Sequence, residues 1–240
     1  SQYMQERKPV ILKKIKKLFE EESEHISFNR YDAVAGQILN IVRETKAKMA
    51  LVVGGGNVFR GREANSRVDH NEADSMGMMA TIINGIGLRE ALVRNGAEDT
   101  RLMSAVDIPG FAEPYIRLKG KNHLKNNRII ILVGGLGKPS FSTDSAVAQY
   151  ADELGCGIIF KASTVDGVYD SDPHKNEKAS KYSDVTFRKA MIEDLGVMDK
   201  TAFAMCERSG IPIFVFDIKN LAHLPKAIAG DYSFGTLIHK

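Results

Sequence analysis

Residues 51–61 read LVVGGGNVFRG, an apolar run that stops on three consecutive glycines. Such a run suits a strand buried on both faces. Glycines at its carboxyl end let the backbone approach a ligand, with N–H groups turned toward phosphate oxygens. Arg60, four residues after Gly56, adds the forked cationic donor that phosphate recognition favours. Taken alone, the triplet also reads as a tight strand-to-helix turn beside a surface arginine. Two further stretches share its form. ILVGGLGKPSFSTDSA (131–146) runs into Gly134, Gly135 and Gly137, then Ser140, Ser142 and Thr143, before Asp144 opens a helix. Glycines, hydroxyls and a helix N-terminus in one loop suit an anionic ligand. Asp144 reads as an N-cap, worth about 1 kcal/mol, or as an organiser of cationic groups, and both roles can coexist. IIFKASTVDGVYDSDP (158–173) delivers Lys161, Ser163 and Thr164 from a strand, then turns at Asp166-Gly167. Tyr169 and Asp172 follow at spacings that suit a planar base and a ribose. Ligands of open parallel sheets bind at the carboxyl ends of strands, so the coincidence of the three stretches says more than any one.

Outward from these motifs, short β-branched runs alternate with longer helical patterns, which predicts an α/β fold with a mainly parallel sheet wrapped by helices. The strand candidates are 10–12, 49–53, 101–104, 129–133, 157–160, 211–216 and 236–238. Tyr31, Val34, Ile38, Ile41 and Val42 recur at helical spacing. Further helices are predicted over 74–95, 144–154 and 199–208, the last with Asp199 as N-cap and Gly210 as its stop. The polar segment 169–182 reads as a surface excursion.

The 240 residues are 43% apolar and 26% charged, as in globular chains. The 33 Lys+Arg against 30 Asp+Glu leave +3, too little to advertise a nucleic-acid surface. Apolar runs fall far short of the ~20 residues of a membrane span. The opening Ser-Gln-Tyr-Met lacks the form of a signal peptide. Cys156 and Cys206 alone build no disulfide framework or metal cluster, so a reducing, cytoplasmic location is expected. The P-loop pattern, the dinucleotide G-x-G-x-x-G pattern and the protein-kinase motifs are absent. The six histidines show no paired-ligand spacing and read as surface residues. Met76, Met78 and Met79 read as core filling, and the charge run 13–24 as a solvated face. The segment 76–92 is apolar on more than one helical face, which requires either an internal helix or a partner subunit.

Together, VVGGGNVFRG (52–61), DSMGMMATIINGI (74–86), RLMSA (101–105), FSTDSA (141–146), KASTVDGVYDSDP (161–173), VMDKTAFAMC (197–206) and GTLI (235–238) closely resemble the bacterial-type uridylate (UMP) kinases of the amino-acid-kinase superfamily. The resemblance runs in order from about residue 30 to the end. It implies a three-layer α-β-α sandwich with a mainly parallel central sheet, forming one unit over 1–240. Residues 1–135 would be a UMP-binding and oligomerisation lobe, and 136–240 an ATP-binding lobe. The implied reaction moves the ATP γ-phosphate to UMP, giving UDP and ADP for pyrimidine nucleotide biosynthesis, with Mg²⁺ on the ATP phosphates. By family position UMP is held by Gly55, Asp74 and the loop Leu136, Gly137, Lys138, Pro139, Ser140, Phe141, Ser142 and Thr143. ATP is held by Lys14, Gly56, Arg60, Ser163, Tyr169 and Asp172, and Lys14, Arg60 and Asp144 are catalytic. The resemblance also implies a homohexamer, a GTP activator at Arg89, Arg101 and Arg128, and UTP inhibition.

The chain departs from the family pattern in three places. Lys16 and Lys17 stand where Ser and Gly follow the family lysine. Leu136 and Ser140 replace Thr and Phe, and Val93 stands where a histidine is common. The first departure motivates an alternative, a catalytically weakened nucleotide-binding or regulatory protein on the same fold.

Overall fold

The computed structural model describes residues 8–13, 26–59 and 67–240. In chain order the elements are β1 (Val10–Lys13), α1 (Phe28–Thr45), β2 (Met49–Val52), α2 (His70–Arg94), β3 (Arg101–Ser104), β4 (Glu113–Pro114), α3 (Arg117–Lys125), β5 (Ile130–Val133), α4 (Thr143–Leu154) and β6 (Ile158–Ser163). There follow β7 (Val168–Tyr169), β8 (Lys181–Tyr182), β9 (Asp184–Thr186), α5 (Phe187–Ile192), α6 (Lys200–Ser209), β10 (Ile213–Asp217), a 3₁₀ turn (Ile218–His223), α7 (Leu224–Ile228) and β11 (Gly235–His239). All seven expected strands are present.

Nine strands form one sheet in the order β4-β3-β5-β2-β1-β6-β10-β11-β9. Every pairing in it is parallel except β10 with β11. Side chains of a strand alternate between faces, and here both faces are buried. Val10 and Leu12 join Leu51, Ile131 and Phe160 beneath α1, α2 and α7. Ile11 joins Ala50, Ile130 and Ile159 beneath α4 and α6. Two cores on either side of one sheet make three layers, as the resemblance implied. The chain leaves central β1 toward β2 on one side and returns to β6 on the other, so β1 lies at the switch point of the sheet.

Four expectations are corrected. Helix α2 starts at His70, four residues earlier than predicted, because Asp69 accepts the Asn71 N–H as its N-cap. Met76 and Met79 do not fill the core: they are 45% and 48% exposed, with Ile83 at 44%, since α2 already buries Ala80, Ile82, Leu88 and Leu92. His123 is buried rather than on the surface, held by Glu113 and Arg128 through its two ring nitrogens. Of the charge run, Lys13 is buried as the last residue of β1, and 14–24 lie outside the described residues.

Candidate active site

The register of the sheet builds the site. Lys13 pairs with Val52 on one side and with Lys161 on the other. The glycine loop after β2, the end of β1 and the end of β6 therefore lie side by side. Lys13 and Lys161 are both buried, and both ammonium groups reach one carboxylate, Asp144. Lys161 Nζ lies 3.1 Å from Asp144 Oδ1 and also donates to the Val197 carbonyl.

Two helix N-termini meet at this cluster. Ser142, not Asp144, is the N-cap of α4: its hydroxyl accepts the N–H groups of Asp144 and Ser145. Asp144 stands in the first turn with its carboxylate turned to the lysines. Asp199 caps α6 as predicted, accepting the Ala202 N–H at 2.7 Å. It also accepts the hydroxyls of Ser142 and Ser145, which ties the two helix ends together. Burial pushes Asp199 up, but those hydrogen bonds and the Lys13 charge outweigh it and hold its carboxyl below the ordinary range. Burial is also the larger influence on Lys161 and pulls it down to about 8, with the Asp199 charge opposing. Two amines, two carboxylates and two positive helix ends make a place where anionic charge can move without a protein nucleophile.

The other predicted residues fall around this cluster. Gly55 lies where a Cβ would meet Ala80 Cβ and Thr81 N at 2.7 Å, so only glycine lets the loop lie against α2. Gly137 has φ 72°, and a Cβ there would lie 2.6 Å from the Ala105 carbonyl. Asp74, on α2, accepts the Ser140 N–H at 2.7 Å and so anchors the loop that runs from Leu136 to Thr143. In that loop Lys138, Ser140, Phe141 and Ser142 are exposed, and Leu136, Gly137, Pro139 and Thr143 are half-buried.

Ser163, Tyr169 and Asp172 line one cavity of about 420 Å³, which also takes in Lys161, Gly167, Gly196 and Val197. The segment 169–182 is therefore more than a surface excursion. Its ends pair as β7 and β8, and its first residues form a wall of this cavity. Asp166 accepts the Tyr169 hydroxyl at 2.6 Å and Lys181 Nζ at 2.8 Å, which fixes the ring. Lys161 faces both the cavity and Asp144, so the cavity opens onto the charged cluster.

Gly56 follows Gly55 in the β2 loop, whereas Lys14 and Arg60 lie outside the described residues. The lysine that the described end of β1 brings to Asp144 is Lys13. Sequence reasoning passed over it by assigning Lys13 to a solvated run, although a lysine closing the apolar run VILK at the end of the first predicted strand was a signal. Arg101 and Arg128 both reach Asp99 and so are not isolated surface arginines; Arg89 donates to the Phe111 carbonyl at 3.3 Å.

Residues 17–217 match the model of the amino acid kinase family. A uridylate kinase from Zymomonas mobilis is 41% identical over 194 residues, covering 80% of each chain. The fold superposes on the crystal structure of UMP kinase from Bacillus anthracis with a TM-score of 0.91 at 33% identity, over 97% of this chain and 96% of that one. For UMP kinase from Ureaplasma parvum the TM-score is 0.88 at 36% identity, over 96% and 97%. With its lysine–aspartate cluster at the switch point of the sheet and relatives of this identity along most of its length, the chain belongs to the uridylate kinases of the amino acid kinase family.

Proposed function

We propose that the chain transfers the γ-phosphate of ATP to UMP, giving UDP and ADP, at the cluster formed by Lys13, Asp144, Lys161 and Asp199. The observation that carries this reading is the pair of buried ammonium groups on one carboxylate, next to the glycine loop that follows β2. Phosphoryl transfer depends on positioning and on neutralising charge that moves onto the leaving phosphate. The cavity of about 420 Å³ suits the ATP base and ribose, with Ser163, Tyr169 and Asp172 in its lining. Gly56, Lys14 and Arg60 would meet the ATP phosphates. Gly55, Asp74 and the 136–143 loop would hold UMP. Lys161 and Lys13 would neutralise the transferring group, and Asp144 would keep both charged and in place. The relatives lend no support to the alternative of a weakened binding protein.

Among the described residues no three acidic, thiol or imidazole side chains gather to cage a metal. Mg²⁺ is ordinarily held by one or two carboxylates together with substrate phosphates. Asp144 and Asp199, the two carboxylates of the cluster, would fit a cation that arrives on ATP. When bound, it neutralises charge across the phosphate oxygens.

The lobes divide near residue 135, a UMP-binding and oligomerisation lobe before it and an ATP-binding lobe after it, with the 136–143 loop tied back to the UMP side through Asp74. The exposed stripe Met76, Met79 and Ile83 supports assembly of a homohexamer through α2. A GTP activator would have to compete with Asp99 for Arg101 and Arg128, so we expect weak activation at most, with UTP an inhibitor. No described helix is long and apolar enough to cross a membrane; the reaction fits the cytoplasmic role in pyrimidine nucleotide biosynthesis that we propose. The test is ADP release with ATP, Mg²⁺ and each nucleoside monophosphate in turn. UMP should turn over fastest, and equal or faster turnover of CMP or AMP overturns the substrate assignment.

A further inference from the structure

Helix α2 carries two buried polar side chains that the charged cluster does not use, Thr81 and Asn84, one turn apart on the face that meets the glycine loops. Asn84 is 0% exposed. Its amide nitrogen donates to the Gly54 carbonyl at 2.7 Å and to Asn57 Oδ1 at 2.6 Å. Its oxygen accepts the Tyr31 hydroxyl at 2.7 Å and Asn57 Nδ2 at 3.2 Å. Two donors and two acceptor positions are thus all engaged, so the side chain has one orientation open to it. Thr81 Oγ1 donates to the Met78 carbonyl at 2.7 Å and accepts the Gly134 N–H at 2.7 Å. One helix therefore grips the start of both glycine loops.

The grip on Gly54 has a directional consequence. In a planar trans peptide the carbonyl and the next N–H point opposite ways. With the Gly54 carbonyl held on Asn84, the Gly55 N–H is turned away from Asn84, and among the described residues it has no hydrogen-bond partner. A buried polar network that only stabilised the core would have no need to engage the loop peptides. We infer that Asn84 and Thr81 are positioning residues for phosphoryl transfer. Asn84 acts through the Gly54 peptide to aim the Gly55 N–H at a substrate phosphate, and Thr81 acts through the Gly134 N–H to set the loop that receives UMP. The inference rests on the site proposed above.

The kinetic test compares Thr81→Val, which keeps the volume and removes the hydroxyl, with Thr81→Ser, which keeps the hydroxyl. Asn84→Asp keeps the shape and replaces the donor to Gly54 by an acceptor. Ile238→Ala, a core truncation on β11, is the stability control. Displacements of about an ångström at a reacting centre cost up to about a hundredfold. Thr81→Val should raise KM for UMP about tenfold or more with little change in kcat, Thr81→Ser should restore it, and Asn84→Asp should lower kcat about tenfold or more. Ile238→Ala should lose thermal stability without either change. Thr81→Val and Asn84→Asp variants whose kinetics match Ile238→Ala overturn the inference. Should Asn84→Asp not fold, the wild-type chain decides that half: the Gly55 amide, in ¹⁵N-glycine-labelled protein, should shift and exchange more slowly when UMP is added. An unchanged Gly55 signal overturns it. A wild-type chain that fails to phosphorylate UMP at all refutes the site reading instead, which is a separate outcome.

Discussion

Asp144 is the anion shared by two buried ammonium groups, so Asp144→Asn isolates its charge with little change of shape. At 3.1 Å from Lys161 Nζ, Coulomb's law with an effective dielectric constant of 20 gives about 5 kcal/mol for that contact. Breaking a buried ion pair from one side typically costs about 3–5 kcal/mol, because the partner charge is left uncompensated. In a chain of this size, about 3 kcal/mol lowers Tm by about 6–12 °C. Burial already holds Lys161 at about 8. Removing the neighbouring Asp144 charge disfavours the Lys161 ammonium further and shifts the side chain toward its neutral form. The assay is ADP release under saturating ATP and UMP from pH 5.5 to 9.5. In the wild-type chain kcat falls as pH rises through about 8 and the Lys161 ammonium is lost. In the variant kcat falls about a hundredfold at pH 7.5, the scale of one lost charge-stabilising donor, and part of it returns at lower pH as Lys161 regains its proton. A variant with wild-type kcat and an unmoved pH profile refutes the role given to Asp144 and to both lysines.

Other expectations follow from packing and assembly. Gly55→Ala drives a Cβ to 2.7 Å from the α2 backbone, and should cost about 1–3 kcal/mol in urea denaturation and most of the activity. Gly36→Ala, mid-helix with open space around it, should gain about 0.5–1 kcal/mol, so equal effects at the two sites contradict the packing. Burial pushes the Cys156 and Cys206 thiols up to about 12. Their contribution to stability is full below their unfolded pKa near 8.5 and declines as pH rises toward 12. The stability gap between the chain and Cys156→Ala/Cys206→Ala should narrow from pH 8 to pH 10, and a constant gap would contradict the burial. Ile83→Asp should shift the particle in light scattering from six copies of the 26.5 kDa chain toward smaller species; a wild-type particle of 26.5 kDa refutes the assembly.

The sheet was legible because its central strands are buried on both faces and so read as unbroken apolar runs, from Val10–Leu12 to Ile211–Phe216. The two- and three-residue strands β4, β7, β8 and β9 carry no such run. They exist only because neighbouring segments pair with them, as Val168 does with Tyr182. The helices α3, α5 and α7 are too short to display a period. At the site, the glycine loops and Asp199 could be read from local chemistry. Lys13 could not be placed so easily, since the lysines that follow it mask a strand end as a charged surface. The roles of Thr81 and Asn84 depend on contacts 53 and 30 residues away along the chain, to Gly134 and Gly54. No local pattern encodes such contacts. Met76 and Met79 misled for a related reason: an apolar residue on a helix is the same in sequence whether a core or another subunit covers it.

The central claim is that this cluster moves a phosphoryl group from ATP to UMP. Its most direct measurement follows the label when ATP carrying ³²P at the γ position is mixed with excess chain, UMP and Mg²⁺ for a single turnover. The account predicts label recovered on the β-phosphate of UDP, at a rate that collapses in Asp144→Asn. Label released only as inorganic phosphate, or left on ATP while UMP is bound, contradicts it.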